Sequence, residues 1–364
     1  MECNISIGDR LYSLTQFCEL GLETDLHWLV SAQKFINFWL SGQEIFSITT
    51  SGSTGQPKKV EINRGQMIAS AQATIKTLNL AEGTKALVCI NTSFIGGQMM
   101  LVRAMVGNWQ IDLVEPSIDL SESVNNNAYD FTALVPLQVN ALLQSDRGKK
   151  LLNSVTKIII GGAAVSKNLV EKLQPINAQC YHTYGMTETV SHIGLKPLNG
   201  PDKSEWFDVI GDNLVRLNQK NCLEIKGAVT NSEWIATNDI VEINGSKFKW
   251  LGRADLVVNS GGVKILIEAA EEKLNELLPD HLIGSITLWK RASEVFGEEL
   301  IGISTSQKTI DFIRQNRNLL KEQLPKYYLA KTWCLTPAFV FTESGKVDRQ
   351  ATMNSSNEQE TSSV

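Results

Sequence analysis

The run Thr49-Thr50-Ser51-Gly52-Ser53-Thr54-Gly55-Gln56-Pro57-Lys58-Lys59-Val60 concentrates hydroxyls, glycines and cations in one short stretch. Glycines let backbone N–H groups approach an anion closely, and hydroxyls and a lysine add donors and charge. That is the chemistry of a phosphate cradle. No Lys-Ser or Lys-Thr pair closes the run, so it is not of the Walker type. Ser/Thr/Gly clusters also make ordinary exposed turns, and the run alone leaves both readings open. A second bare turn, Gly161-Gly162-Ala163, follows the apolar run Lys157-Ile158-Ile159-Ile160. Backbone without side chains there can face a flat base. Gly96-Gly97 open a third close approach, to a ligand or simply to a neighbouring element.

The elements that must carry these turns alternate in type. Ile45, Phe46 and Ile48 precede the first run as a strand, and a helix from about Gly65 to Leu80 follows it. Strands are predicted at 85–90, 111–114, 131–136 and 157–160, with helices after Gly96, from Gln138 and from Ser166 to Leu173. Repeated βα units imply a mainly parallel, buried sheet whose ligands sit at the carboxyl ends of strands. From Glu205 to Phe248 short alternating segments with Asn244-Gly245 imply antiparallel hairpins. Residues 1–44 space apolar groups three and four apart and predict helix. Helices are expected at 269–278 and 309–324, with strands at 283–288 and 300–303, in a small α+β unit. The Ser/Glu/Thr/Asn-rich stretch 353–364 predicts a disordered tail.

At 364 residues the chain is long enough for two or three domains. Its 43% hydrophobic and 20% charged content is that of a soluble globular protein. A net charge of −5 gives no reason to expect nucleic acid or an anionic membrane as partner. Cys3, Cys18, Cys89, Cys180, Cys222 and Cys334 show no CxxC or metal-finger spacing. Reduced, mostly buried thiols in a cytoplasmic protein are therefore expected. No run reaches transmembrane length, and no signal-peptide pattern opens the chain. Oligomeric state is not legible, and a homo-oligomer stays open.

Five motifs in order resemble the adenylate-forming superfamily of AMP-dependent ligases, which holds acyl-CoA synthetases, luciferases and peptide-synthetase adenylation domains. They are 49–60, Gly161-Gly162-Ala163-Ala164, Tyr184-Gly185-Met186-Thr187-Glu188-Thr189, Thr237-Asn238-Asp239, and Gly252-Arg253-Ala254-Asp255 running on to Ser260-Gly261-Gly262. A terminal loop, Ser344-Gly345-Lys346, also matches. The resemblance implies a large N-terminal domain (1–252) with mainly parallel sheets and a β-rich subdomain. A small mobile α+β domain (253–352) and a tail (353–364) would follow. It implies ATP, Mg²⁺ and coenzyme A as small-molecule partners of a carboxylic acid. Thr50, Ser51, Gly52, Ser53, Thr54, Gly55 and Lys58 would hold the β- and γ-phosphates. Gly161, Gly162 and Ala163 would lie on the adenine side, Tyr184 would flank adenine, and Gly185 would belong to the same ATP site. Thr187 would contact the α-phosphate and Glu188 the Mg²⁺, a hard cation that takes carboxylate and phosphate oxygens. Asp239 and Arg253 would hold the ribose. Lys346 would stand between two reacting anions and offset their repulsion. Asp255 would be the hinge, and Gly261 and Gly262 would let pantetheine pass. Lys59, Ala164, Asn238 and Ile267 depart from the usual Gly, Pro, Gly and Pro.

Within the superfamily, Ala133-Leu134-Val135-Pro136-Leu137-Gln138, Met99-Met100-Leu101-Val102-Arg103-Ala104 and the continuation Val190-Ser191-His192 resemble o-succinylbenzoate–CoA ligases of menaquinone synthesis. Only 48 residues precede the phosphate run, so the resemblance implies a trimmed N-terminal region. It places Gly97, Gln138, Ser191 and His192 in the acyl pocket, although His192 reads equally as a polar loop residue. Asn140 and Ala141 stand where some ligases of this group carry an arginine for a substrate carboxylate. Another aryl- or fatty-acyl-CoA ligase, an enzyme loading a carrier protein, and a non-catalytic nucleotide-binding homologue stay open as alternatives.

Overall fold

The computed structural model describes residues 3–22, 26–50, 58–122, 127–341 and 347–359. Its largest layer is a mixed sheet of thirteen strands among the described residues. From Asn4–Ile7 through Gln110–Leu113, Lys85–Val88, Tyr129–Leu134 and Val155–Ile160 to Gln179–Gly185, neighbours run parallel. Beyond Gln179–Gly185 every pairing is antiparallel, through His192–Pro197, Phe207–Val209, Lys247–Arg253, Ile235–Asn244 and Cys222–Lys226 to Leu214–Leu217. The expected parallel sheet and β-rich region are thus one continuous layer that changes direction at Gln179–Gly185.

Alternation along the parallel strands sorts side chains into two cores. Ala86, Val88, Phe131, Ala133 and Ile159 join Met67, Ala71, Met99 and Val102 of helices Arg64–Thr77 and Ile95–Gly107. Leu87, Leu134, Ile158 and Ile160 join Val139, Leu142, Leu169 and Leu173 on the opposite face. Apolar residues at both odd and even positions are what a strand buried on two faces requires.

The opening of the chain corrects the all-helical expectation for 1–44. Asn4–Ile7 and Arg10–Ser13 form a hairpin around Gly8, which sits at φ +57°, before helices Leu14–Cys18 and His27–Leu40. The period-two pattern of Asn4-Ile5-Ser6-Ile7, with Ile5 fully buried, outweighs the helical spacing further on. The phosphate run also differs from the expected strand–turn–helix. Its flanks Ile45–Thr50 and Lys58–Asn63 pair antiparallel, and the helix begins only at Arg64, capped by Asn63.

The C-terminal part has its own core around Val258, Ile265, Leu274, Leu288 and Trp333. Strand Gly297–Ser304 lies between Ile286–Ser293 and Thr332–Leu335. The single helix expected at 309–324 is two, Gln307–Gln315 and Arg317–Gln323. Asn316 breaks it, and its side-chain amide donates to the Phe312 carbonyl at 2.9 Å. The expected tail from 353 holds the end of helix Arg349–Asn354 and a strand, Asn357–Gln359, paired with Thr332–Leu335. Among the described residues the cysteines form no disulfide, and only Cys18 is not buried. Burial pushes the Cys3, Cys89 and Cys180 thiols up to about 12. Among the described residues no helix is long and apolar enough to cross a membrane.

Gly302 pairs directly with Trp333, and a Cβ there would lie 2.4 Å from the indole. Trp333 is fully buried and rigid, so it cannot yield. Gly302→Ala is expected to cost about 1–3 kcal/mol, seen as a lower urea midpoint; an unchanged midpoint would refute the packing.

Candidate active site

The changeover strand Gln179–Gly185 ends beside the turn that follows Val155–Ile160. A Cβ on Gly161 would lie 2.2 Å from the Thr183 hydroxyl, so only glycine lets the turn close on the strand. Gly162 takes φ +83°, and Gly162 and Ala163 are exposed. His182, on the same strand, is largely buried; its Nδ1 has no partner among the described residues. Burial, aided by Lys196, lowers its pKa to about 4.

Tyr184 projects from this strand to the far part of the sheet. Its hydroxyl donates to Asp239 Oδ2 at 2.6 Å, and Trp250 Nε1 donates to Asp239 Oδ1 at 3.0 Å. The Asp239 N–H donates to Thr237 Oγ1 at 3.0 Å. The Tyr184 ring packs edge-on against Phe248 and Phe207, with centroids 4.9 and 5.8 Å away. Burial and the Asp239 carboxylate raise the phenol pKa far above its usual value, so Tyr184 is a fixed neutral donor. Arg253 stands opposite Asp239 in the strand register. Its Nε and Nη2 donate to the two oxygens of Asp255 at 2.9 and 2.8 Å, and its backbone N–H donates to Glu268 Oε2 at 2.9 Å. Burial pushes the Asp255 carboxyl up, but the Arg253 fork outweighs it and the net direction is down. The structure therefore brings Tyr184, Asp239, Arg253 and Asp255 into one group.

Thr187–Thr189 forms a short 3₁₀ turn directly after the strand. Thr189 ties it, with its hydroxyl bonded to Met186 and to the Ser191 carbonyl. Thr187 is left half-buried and Glu188 exposed. No group of three His, Cys, Asp or Glu side chains that could cage a metal occurs among the described residues. A single exposed carboxylate fits Mg²⁺, which keeps waters and takes phosphate oxygens.

Ser191 and His192, expected at the acyl pocket, surround Arg103, which is 1% exposed. Arg103 Nε donates to Thr74 Oγ1 at 3.2 Å and Nη2 to Ser191 Oγ at 2.9 Å, with His192 Nδ1 at 3.4 Å from Nη2. His192 Nε2 lies 3.1 Å from Thr74 Oγ1, whose own proton goes to the Ser70 carbonyl. This pattern fits a neutral imidazole protonated at Nε2. Burial and the Arg103 charge hold the His192 pKa well below its usual value. Burial lowers the Arg103 pKa to about 9. Among the described residues no carboxylate is in ion-pair range of Arg103.

Other expected site residues fall differently. Gln138 is buried and braced between backbone groups, accepting from the Val135 N–H and donating to the Cys89 and Ser117 carbonyls. It is a strut rather than a free pocket group. A Cβ on Gly97 would lie 2.4 Å from the Asn91 carbonyl oxygen, so this glycine lets the Arg103 helix seat on the turn before it. Gly261 and Gly262 form the turn between Val257–Ser260 and Val263–Leu266, and the Gly261 N–H donates to the Phe296 carbonyl at 2.9 Å. Thr50 and Lys58 pair at the end of their hairpin that carries the 51–57 connection. Ser51, Gly52, Ser53, Thr54, Gly55 and Lys346 lie outside the described residues. Sequence reasoning missed Trp250 and gave Arg103 no role. A lone cation inside Met99-Met100-Leu101-Val102-Arg103-Ala104 was the available signal for the second.

Residues 39–212 match the family described as AMP-binding enzyme. The chain is 33% identical to the crystal structure of an acyl-CoA synthetase (AMP-forming)/AMP-acid ligase II-like protein from Dyadobacter fermentans, with TM-score 0.64, covering 94% of this chain and 98% of that one. It is 23% identical over 350 residues to the 2-succinylbenzoate–CoA ligase of Staphylococcus aureus, covering 88% of this chain and 69% of that protein. The o-succinylbenzoate CoA synthetase of Bacillus subtilis, solved with the acyl-adenylate intermediate, shares its fold with TM-score 0.71 at 19% identity, over 86% of this chain and 69% of that one. With a mixed sheet of this kind and a 33% identical relative matched almost end to end, this chain belongs to the AMP-binding family of adenylate-forming ligases.

Proposed function

We propose that this ligase joins o-succinylbenzoate, or an acid of the same dicarboxylic class, first to AMP and then to coenzyme A. The observation that carries the reading is Arg103. A buried guanidinium without a counter-charge costs several kcal/mol, and the three neutral groups around it offset only part of that. A substrate with one carboxylate to activate and another to anchor would supply the missing anion beside Ser191 and His192.

In the first step a carboxylate oxygen attacks the α-phosphorus of ATP, forming the mixed anhydride and releasing pyrophosphate. The 50–58 run holds the β- and γ-phosphates, Thr187 orients the α-phosphate, and Asp239 with Arg253 holds the ribose. Glu188 would hold Mg²⁺, whose charge would offset that of the phosphates. Lys346 stands between carboxylate and α-phosphate. In the second step the CoA sulfur attacks the acyl carbon and AMP leaves. The C-terminal unit turns about Asp255 between steps, Lys346 withdraws, and pantetheine passes Gly261 and Gly262.

Pyrophosphate release with o-succinylbenzoate, against its analogue amidated at the succinyl carboxylate, tests the substrate class. Arg103→Met should raise KM for the dicarboxylic acid on the order of a hundredfold, leave KM for ATP unchanged, and abolish the preference over the amide. Retention of that preference, or robust turnover of simple benzoic or fatty acids instead, would sink the assignment. Lys346→Ala should cripple pyrophosphate release yet spare thioester formation from supplied acyl-adenylate; equal loss in both steps would refute the alternation.

The neutral His192 also sets a pH dependence. Its pKa is lowered in the fold, so below about pH 6.5 the unfolded chain binds a proton that the native state refuses. This site should make stability fall as pH drops through that value, by up to about 1.4 kcal/mol per pH unit. Urea midpoints between pH 7.5 and 5.5 should show a shallower slope for His192→Asn than for the parent.

A further inference from the structure

The geometry points to Trp250 as the positioning residue that prepares Asp239 to recognise a ribose diol; this rests on the reading of Asp239 given above. An ionised carboxylate offers about four acceptor directions, two on each oxygen. Here the protein occupies one on each: Tyr184 on Oδ2 at 2.6 Å and Trp250 on Oδ1 at 3.0 Å. One direction per oxygen is left, which suits the two adjacent hydroxyls of a ribose, each donating one hydrogen bond. The Asp239 N–H bond to Thr237 fixes the backbone beneath the carboxylate.

Trp250 reaches Asp239 only because its strand carries an extra residue. Ile240 pairs with Gly252 but Val241 pairs with Trp250, leaving Leu251 unpaired in a bulge. Three residues apart on a regular strand, Trp250 and Arg253 would face opposite sides of the sheet. The bulge turns both toward the side of Asp239, which pairs with Arg253 in register. Both donors to Asp239 are uncharged, so its negative charge stays available to the sugar. The Arg253 guanidinium is meanwhile held by Asp255. Indole is a rigid donor with a single N–H, so it fixes the carboxylate rotamer without adding an acceptor that could compete for the hydroxyls.

Selectivity between ATP and 2′-deoxy-ATP tests this, read as the ratio of kcat/KM values in pyrophosphate release. The parent should favour ATP. Trp250→Phe, which keeps a ring but removes the N–H, should raise KM for ATP about tenfold with little change in kcat, and should cut the ATP preference by a similar factor. A residue needed only for packing would lower activity with both nucleotides alike. Trp250→Leu, which also lacks a donor, reads the same ratio should the phenylalanine variant fold poorly. Calorimetric binding of AMP against 2′-deoxy-AMP gives the ratio without turnover. A parent with no preference for ATP would overturn the ribose role of Asp239 and this inference with it. A selective parent whose Trp250 variants stay equally selective would overturn the role of Trp250 alone.

Discussion

The bond between Tyr184 and Asp239 imposes the shape of the antiparallel half of the sheet. Four strand steps separate their strands in the sheet order. In a flat sheet that is about 19 Å, further than a tyrosine can reach. The 2.6 Å contact is possible only if these strands curl back over themselves. Phe207 and Phe248, stacked with centroids 5.2 Å apart, fill the curl and meet the Tyr184 ring. Aromatic packing thus closes the sheet far enough for a strand from the parallel half and one from the antiparallel half to share a carboxylate. The turn at Gly161-Gly162 then opens next to the same strand, at the changeover where parallel sheets leave a crevice.

The core on the helix Ile95–Gly107 holds a group that a stability argument alone would remove. Arg103 sits among neutral partners as the one charged residue of its helix. The surrounding polar atoms are arranged to accept from it: Thr74 and Ser191 through hydroxyls, His192 through an unprotonated nitrogen. Burial first, and the same positive charge second, keep His192 neutral and able to accept. Such an arrangement costs the protein stability that a second buried charge of opposite sign would recover.

How much of this was legible follows from the range of each interaction. The βα units between 85 and 173 are readable because two-faced burial makes each strand an apolar run, and Ser166 marks a helix start by its side chain. The hairpin at 4–13 was missed because four alternating residues are a weak signal beside a long helical stripe. The strand at 58–63 was missed because Lys58, Lys59 and Glu61 read as a polar turn, although Ile62 is buried. Motif types point to a nucleotide, but no local pattern says that Tyr184 bonds a residue 55 positions away. Gln138 reads as a pocket residue and turns out to satisfy backbone groups, since an amide beside a proline-capped helix start has both uses. The bulge at Leu251 depends on the partner strand and leaves no trace in its own sequence.

The buried cysteines have a bearing on thioester chemistry. A protein thiolate near an activated acyl group would intercept it, or would trade disulfides with oxidised coenzyme A. With the Cys3, Cys89 and Cys180 thiols pushed up to about 12, almost none of each is ionised at neutral pH, and burial keeps them from solvent. These three thiols are therefore poor nucleophiles at neutral pH.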